Sequence, residues 1–133
     1  FFLITKLLIP NMKKQKMGRI ISILTSYAVN NPPSGLSDYV VAKYSLLGLS
    51  KCMAMELGKF GIRVNSISPS IVNTPLIDKL PTKFKEIVSS QIPLENKFAE
   101  PNDVAGVALF LCTESSNYIS GENILLTGGY TMH

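Results

Sequence analysis

The stretch "GRIISIL", Gly18–Leu24, gives the first indication of the fold of this 133-residue chain. It is short, opens with glycine and is rich in isoleucine, a pattern typical of a β-strand that is buried on both faces of a sheet. Two later stretches, "IRVNSISP" at 62–69 and "ENILLTGG" at 122–129, have the same apolar character. The sequence therefore predicts three strands, each separated from the next by a long connection.

The connections between these strands are long enough to contain helices. Apolar periodicity and stop signals predict helices at 1–16, at 38–57 with Gly58 as its stop, and at 100–112. The connection 70–98 is less regular and contains one short helix around Phe84 and Ile87. Strand–helix–strand order with such crossovers implies right-handed parallel units, so the predicted fold class is α/β with a doubly wound parallel sheet.

The composition is that of a globular domain, with 46% hydrophobic and 17% charged residues and a net charge of +4. The densest basic run, "KKQK" at 13–16, has no interleaved aromatic residues, so we expect no nucleic-acid partner. Cys52 and Cys112 lack metal-ligand spacing and His133 is the only histidine, which excludes a zinc site and a histidine-based triad. We interpret the cysteines as buried free thiols in a reducing compartment, and predict a cytoplasmic protein.

The sequence predicts neither a signal peptide nor a membrane span. The opening residues "FFLITKLLIP" have no small-residue cleavage site after them. The apolar run 39–57 contains Lys43, Lys51 and Glu56, and one lysine at a helix centre costs roughly 2.5–3.5 kcal/mol in lipid. The chain starts with Phe1 in the middle of a helical pattern, with no capping residue ahead, so we expect it to be a piece of a longer protein.

Tyr39 and Lys43 are the side chains that point to chemistry. They lie four residues apart in the second predicted helix and therefore share one face of it. An ammonium beside a phenol stabilises the phenolate, and such a phenol can exchange a proton with an oxygen near neutral pH. Because this spacing also arises by chance on packing helices, the pair by itself is a weak signal.

Hydroxyl groups at the ends of the predicted strands strengthen the interpretation. Thr25 and Ser26 follow the first strand, and "SPSIVNTP" at 68–75 follows the second. Parallel strands bring their carboxyl ends to one edge of the sheet, where α/β proteins bind their ligands. The hydroxyl, phenol and ammonium groups are therefore expected at one edge of one sheet.

At this point the chain resembles the C-terminal half of a short-chain dehydrogenase/reductase, over essentially all 133 residues. The matching pieces occur in the family's order: "GRIISILTS", Tyr39-x-x-x-Lys43, "GIRVNSISPSIVNTP", "PNDVAGVALFL" and "YISGENILLTGG". The resemblance implies a Rossmann-like fold, NAD or NADP as the cofactor, and a secondary alcohol or ketone as the small-molecule substrate. The phosphate-binding half of the family domain is not in this sequence.

The resemblance also implies roles for individual residues. Tyr39 is the expected general acid/base, and Lys43 assists it and binds the nicotinamide ribose. A hydroxyl that orients the carbonyl is Thr25 by strand register or Ser26 by the family's commoner spacing from Tyr39, with Thr25 slightly favoured. The expected contacts of the nicotinamide are Pro69, Val72 and Thr74, and the segment 70–98 is the expected substrate lid. Ser70 and Thr127 depart from the family's usual Gly and Asp at these positions.

Several further expectations concern packing and assembly. The helix 38–57 is apolar nearly all round, which predicts a homodimer or homotetramer formed through the helices 1–16 and 38–57. Tyr27 is expected to pack in its loop more readily than to touch substrate, and Tyr44 and Tyr118 are expected in the core. The alternative function is a catalytically inactive half-domain that acts only in subunit association.

Overall fold

The computed structural model describes residues 1–132 and has an α/β fold, as predicted. Its helices and strands alternate along the chain. Their bounds are α1 Phe2–Gln15, β1 Gly18–Ile23, α2 Ser37–Leu57, β2 Ile62–Pro69, α3 Thr82–Ser90, α4 Pro101–Cys112 and β3 Asn123–Leu126. The three strands form one parallel sheet in the order β1-β2-β3, and His133 lies outside the described residues.

The central strand β2 fixes the sheet because it is buried along its whole length. β1 pairs with it from Gly18 opposite Ile62 to Ile23 opposite Ile67. β1 was expected to be buried on both faces, but its residues alternate between buried and half-buried and Ile23 is exposed. The reason is its position, since within residues 1–132 β1 is an edge strand with β2 on one side.

One face of the sheet is covered by α1 and α2. Ile20 of β1 and Val64 of β2 pack with Met53 and Leu57 of α2 in the main buried cluster, which also contains Ile62. Ile9 and Met12 of α1 lie against the same cluster. The inner side of α2 is therefore packed against the sheet. The residues at the amino end of α2 lie near the carboxyl ends of the strands.

The other face is covered by α4, and a buried arginine makes the connection. Arg63 of β2 donates hydrogen bonds to the carbonyl oxygens of Leu111 (2.8 Å), Thr113 (3.3 Å) and Ile119 (3.2 Å). The first two carbonyls belong to the carboxyl end of α4, whose negative dipole end favours a cation. Helices on both faces make this a doubly wound sheet.

The connection between β2 and α4 contains a short helix, as predicted. α3 occupies 82–90, and a parallel bridge joins Val72, just after β2, to Ala99, just before α4. The Leu94 amide donates a hydrogen bond to the Gly128 carbonyl oxygen at 3.0 Å, beyond the end of β3. Ile92, just after α3, is buried and its methyl group limits the space beside Gly128. The segment 70–98 is therefore attached to the ends of both β2 and β3.

Four predictions about single residues were wrong. Cys52 and Cys112 are exposed free thiols, because both lie on outward sides of their helices. Tyr44 is half exposed and Tyr118 is fully exposed, so neither is a core residue. Within residues 1–132, no helix is both long and apolar enough to cross a membrane.

Candidate active site

Tyr39 and Lys43 lie together on the first two turns of α2. The Lys43 Nζ atom is 5.7 Å from the centroid of the Tyr39 ring. Tyr39 is 41% exposed, and Lys43 is half-buried. The helix spacing thus brings the phenol and the ammonium together as expected, with the phenol open to an incoming molecule.

A hydrogen bond to the sheet holds Lys43 in place. Its Nζ atom donates to the carbonyl oxygen of Ile23 at 2.9 Å, at the last residue of β1. The next amide, that of Leu24, donates to the carbonyl oxygen of Ile67 at 2.8 Å and so continues the ladder to β2. One of the three N–H donors of the ammonium is used in this way, which leaves two for another partner.

Thr25 and Ser26 lie directly beyond this point. Thr25 has extended backbone angles and precedes a short 3₁₀ helix over Ser26–Ala28. Its Oγ1 atom accepts a long hydrogen bond of 3.4 Å from the backbone N–H of Tyr27. Both hydroxyl-bearing side chains are nearly fully buried in this chain. Because the recorded bond of Thr25 uses its oxygen as an acceptor, its hydroxyl hydrogen remains available to a second oxygen.

Two further tyrosines, Tyr27 and Tyr130, lie near this region, and the sequence analysis considered only the first of them. Burial raises the pKa of Tyr27 above its ordinary value, and the nearby phenols of Tyr130 and Tyr39 raise it further. The Asn30 side chain donates to Thr131 Oγ1 at 3.1 Å, which fastens the C-terminal loop beside the 3₁₀ helix. The sequence signal for Tyr130 was its position just after the third strand, at the reactive edge of the sheet.

The predicted nicotinamide contacts lie at the end of β2 and beyond it. Pro69 is buried and pairs in register with Leu126 of β3. Val72 forms the bridge to Ala99, and the Thr74 carbonyl accepts a hydrogen bond from the Ile77 amide at 2.9 Å. Both side chains are half-buried. Among the hydrogen bonds of residues 1–132, none links Val72 or Thr74 to Tyr39 or Lys43.

A cavity of about 450 Å³ lies at the carboxyl end of β3. Its walls come from the segment 94–99, the beginning of α4 and the strand end around Thr127. Tyr39 and Lys43 do not line this cavity. In the part of the chain that the structure describes, no group of three or more His, Cys, Asp or Glu residues could hold a metal ion.

The chain is similar to known proteins over nearly its whole length. A family model described as enoyl-(acyl carrier protein) reductase, of the short-chain dehydrogenase/reductase type, matches residues 1–131. The chain is 37% identical over 128 residues to the 3-oxoacyl-(acyl-carrier-protein) reductase FabG of Thermotoga maritima, covering 96% of this chain and 51% of that protein. It is 38% identical over 128 residues to the human dehydrogenase/reductase SDR family member 4, covering 96% of this chain and 46% of that protein.

The fold of this chain is also similar to that of solved reductase structures. The crystal structure of a 3-oxoacyl-(acyl-carrier protein) reductase from Brucella melitensis superimposes with a TM-score of 0.92 at 26% identity, covering 98% of this chain and 49% of that one. The parallel sheet, the helices on both of its faces and these relatives define a Rossmann-like reductase fold. The chain belongs to the short-chain dehydrogenase/reductase family, a family of oxidoreductases. It spans about half the length of the curated relatives it matches.

Proposed function

We propose that residues 1–133 are the C-terminal catalytic half of a single Rossmann-like domain, with the phosphate-binding half of the cofactor site supplied by a preceding segment. The whole protein is then an NAD(P)-dependent oxidoreductase that interconverts a secondary alcohol and a ketone. The observation that carries this proposal is the Lys43 ammonium, anchored on the Ile23 carbonyl and 5.7 Å from the ring of Tyr39.

Tyr39 is the proposed general acid/base. In the reducing direction its phenol gives a proton to the carbonyl oxygen of the ketone, and in the oxidising direction it takes the proton of the alcohol. The ammonium of Lys43 stabilises the phenolate that remains after proton donation. NADH or NADPH, when bound, supplies the hydride that reaches the carbonyl carbon. The exposure of the Tyr39 ring supports a role in which the phenol meets an external oxygen.

Lys43 and the end of β2 are the proposed cofactor-binding groups of this chain. The two N–H donors that Lys43 does not spend on Ile23 suit the paired hydroxyls of a ribose. Pro69, Val72 and Thr74 are proposed to line the nicotinamide, on the strength of their position after β2 at the same sheet edge. The segment 70–98 is the proposed substrate lid, and its attachment to the ends of both β2 and β3 supports this role.

The cellular location is proposed to be the cytoplasm. Cys52 and Cys112 are free and exposed, and exposed thiols remain reduced most readily in that compartment.

The alternative function, an inactive half-domain that acts only through subunit association, is favoured by the apolar residues that α1 and α2 expose.

Replacement of Tyr39 by Phe in the full-length protein tests the proposal. The variant loses the proton donor and keeps the ring, so kcat/KM with NADH or NADPH and a panel of ketones should fall by a factor on the order of 10² to 10⁴. Tyr44→Phe is the matched control, because Tyr44 lies on the same helix with a half-exposed ring and should retain full activity. Activity that survives in Tyr39→Phe, or a wild-type protein with none to lose, would favour the alternative.

A further inference from the structure

Three serine hydroxyls form a buried chain between the sheet and α2, on the inner side of the helix. The Ser22 Oγ atom of β1 lies 2.8 Å from that of Ser66 in β2 and 2.9 Å from that of Ser50 in α2. All three residues are at least 98% buried. Ser22 and Ser66 are direct neighbours in the strand register, so their backbone pairing places both hydroxyls on the α2 face.

The direction of the hydrogen bonds in this chain is fixed by counting hydrogens. Each serine hydroxyl has one hydrogen to donate. Ser50 gives its hydrogen to the carbonyl oxygen of Leu46, one turn earlier in α2, at 2.8 Å. Ser22 must therefore donate to Ser50, and Ser66 must donate to Ser22. Every hydroxyl hydrogen in the chain has an acceptor, which is the condition under which a buried polar network is stable.

Ser50, the helix member of this serine chain, lies on the same face of α2 as Tyr39 and Lys43. Ser50 follows Lys43 by seven residues and Tyr39 by eleven, which are close to two and three full turns, or about 10 Å and 16 Å along the helix axis. Lys43 is itself bonded to Ile23, the residue after Ser22. Two neighbouring residues of β1 thus bind α2 at two points, through the Ser22 side chain and the Ile23 carbonyl.

We propose that the Ser66–Ser22–Ser50 chain is a positioning device that fixes the rotation and axial register of α2 on the sheet, and thereby holds Tyr39 and Lys43 in their working geometry. The apolar contacts of Met53 and Leu57 stabilise the docking of α2, but apolar contact is not directional and permits small slides and rotations. Hydrogen bonds depend strongly on distance and angle, so the serine chain supplies the register that apolar packing lacks.

The first test measures the position of Lys43 without using activity. In the full-length protein, the rate of acetylation of Lys43 by an amine-reactive reagent is compared by mass spectrometry with that of Lys51, an exposed lysine on the same helix. Loss of a bond in the serine chain should loosen the Lys43–Ile23 contact and raise this ratio about fivefold in Ser22→Ala and Ser50→Ala. Ser45→Ala is the matched control, since Ser45 is exposed and its hydroxyl donates to the Val41 carbonyl oxygen of its own helix.

The direction of the hydrogen bonds in the serine chain predicts which variants change the acetylation ratio most. Ser22→Ala removes the central link and leaves the Ser66 hydrogen without an acceptor, and Ser50→Ala leaves the Ser22 hydrogen without one. Ser66→Ala removes only a donor to Ser22, so its effect on the acetylation ratio should be the smallest, about twofold or less. Should Ser22→Ala fail to fold, Ser50→Ala still carries the test, because alanine is the better helix former at that site. Equal ratios in all variants, or the largest change in Ser66→Ala, would overturn the proposal.

The second readout is kinetic and rests on the proposed function. A displaced Tyr39 impairs the chemical step more than ground-state binding, so kcat in Ser22→Ala and Ser50→Ala should fall about tenfold with KM within twofold of wild type. An altered acetylation ratio in a protein whose Tyr39→Phe variant loses nothing refutes the proposed reaction but not the positioning of α2. An altered ratio with unchanged kcat in an active enzyme overturns the claim that this register serves catalysis.

Discussion

Thr25 and Ser26 carry adjacent hydroxyls, and we propose that Thr25 is the group that orients the substrate carbonyl. Its extended backbone ends β1, and its hydroxyl hydrogen is not used in the bond from the Tyr27 amide. Ser26 serves the fold through its backbone carbonyl, which accepts hydrogen bonds from Val29 and Asn30 at 3.0 Å. These backbone bonds survive truncation of the Ser26 side chain.

We predict that Thr25→Val lowers kcat by a factor on the order of 10², the effect of removing one donor from a developing oxyanion. Valine keeps the shape of threonine, so the fold should tolerate the change. Thr25→Ser should restore most of the activity, and Ser26→Ala should stay within about twofold of wild type by the same reasoning. Steady-state kinetics of the three variants in the full-length enzyme decide the assignment, and the reverse pattern would transfer the role to Ser26.

The raised pKa of Tyr27 predicts that the free energy of unfolding falls at alkaline pH. Its pKa is raised in the folded protein, first by burial and then by Tyr130 and Tyr39, above the value of about 10 that it has when unfolded. Above pH 10 the unfolded state therefore releases this proton while the folded state retains it. The free energy of unfolding is unaffected below pH 10 and falls as pH rises through the folded pKa, by at most about 1.4 kcal/mol per pH unit for this group.

Tyr27→Phe removes this contribution, so the variant should lose less stability than wild type between pH 10 and 11. Urea unfolding at pH 8, 10 and 11 measures the difference. Tyr118→Phe is a suitable control, because the Tyr118 side chain is fully exposed. Parallel losses in wild type and Tyr27→Phe would show that the raised pKa does not act on folding.

Element by element, the sequence predicted the strands and helices well, because each has a local signal. β2 begins and ends at the predicted residues, and Gly58 caps the end of α2 as expected. Burial was predicted less well, since it depends on which side of an element meets a neighbour. Cys52 and Cys112 belong to helices that are apolar nearly all round, where periodicity does not distinguish the inner face from the outer one.

The site was predicted in part for the same reason. The pairing of Tyr39 with Lys43 follows from helix spacing, which is a local property. The approach of Tyr130 to Tyr27 joins residues more than a hundred positions apart, and the bond between Asn30 and Thr131 that accompanies it has no signature in either segment. Contacts of this kind depend on where loops meet after the sheet has formed.

Arg63 joins the carboxyl end of α4 to β2, so replacing it should lower the stability of the fold. Its three carbonyl partners would lose a charged donor in Arg63→Met, while methionine keeps much of the buried volume. We expect the free energy of unfolding to fall by about 3 kcal/mol, since bonds to charged groups contribute more than neutral ones and the buried carbonyls remain unsatisfied.

Arg19→Met is the comparison for that measurement. Arg19 is only half-buried, and its guanidinium bonds to the Gly18 carbonyl and to Asn117 at the protein surface. Its loss should cost less than about 1 kcal/mol. Chemical denaturation of both variants gives the two values, and equal losses would mean that the connection between α4 and β2 does not depend on Arg63.

The described residues leave much apolar surface exposed on one side of the sheet. α1 exposes Leu3, Leu7 and Leu8, and α2 exposes Val41 and Met55. Exposed apolar patches of this kind mark surfaces that another chain or segment covers. The open edge of β1 is available to the preceding segment that we propose completes the domain, and the relatives are about twice as long as this chain.

The outward sides of α1 and α2 remain for a second subunit, and we predict that the full-length protein is a homodimer or homotetramer through the helices 1–16 and 38–57. Met55 is 85% exposed here, so Met55→Lys should leave the fold intact. A lysine buried without a partner in an apolar interface should weaken association by a factor on the order of 10² or more. Leu76→Lys is the control, because Leu76 is 81% exposed in the proposed lid and lies outside both helices. Light scattering should give a smaller molar mass for Met55→Lys alone, whereas an unchanged mass would place the subunit contact elsewhere.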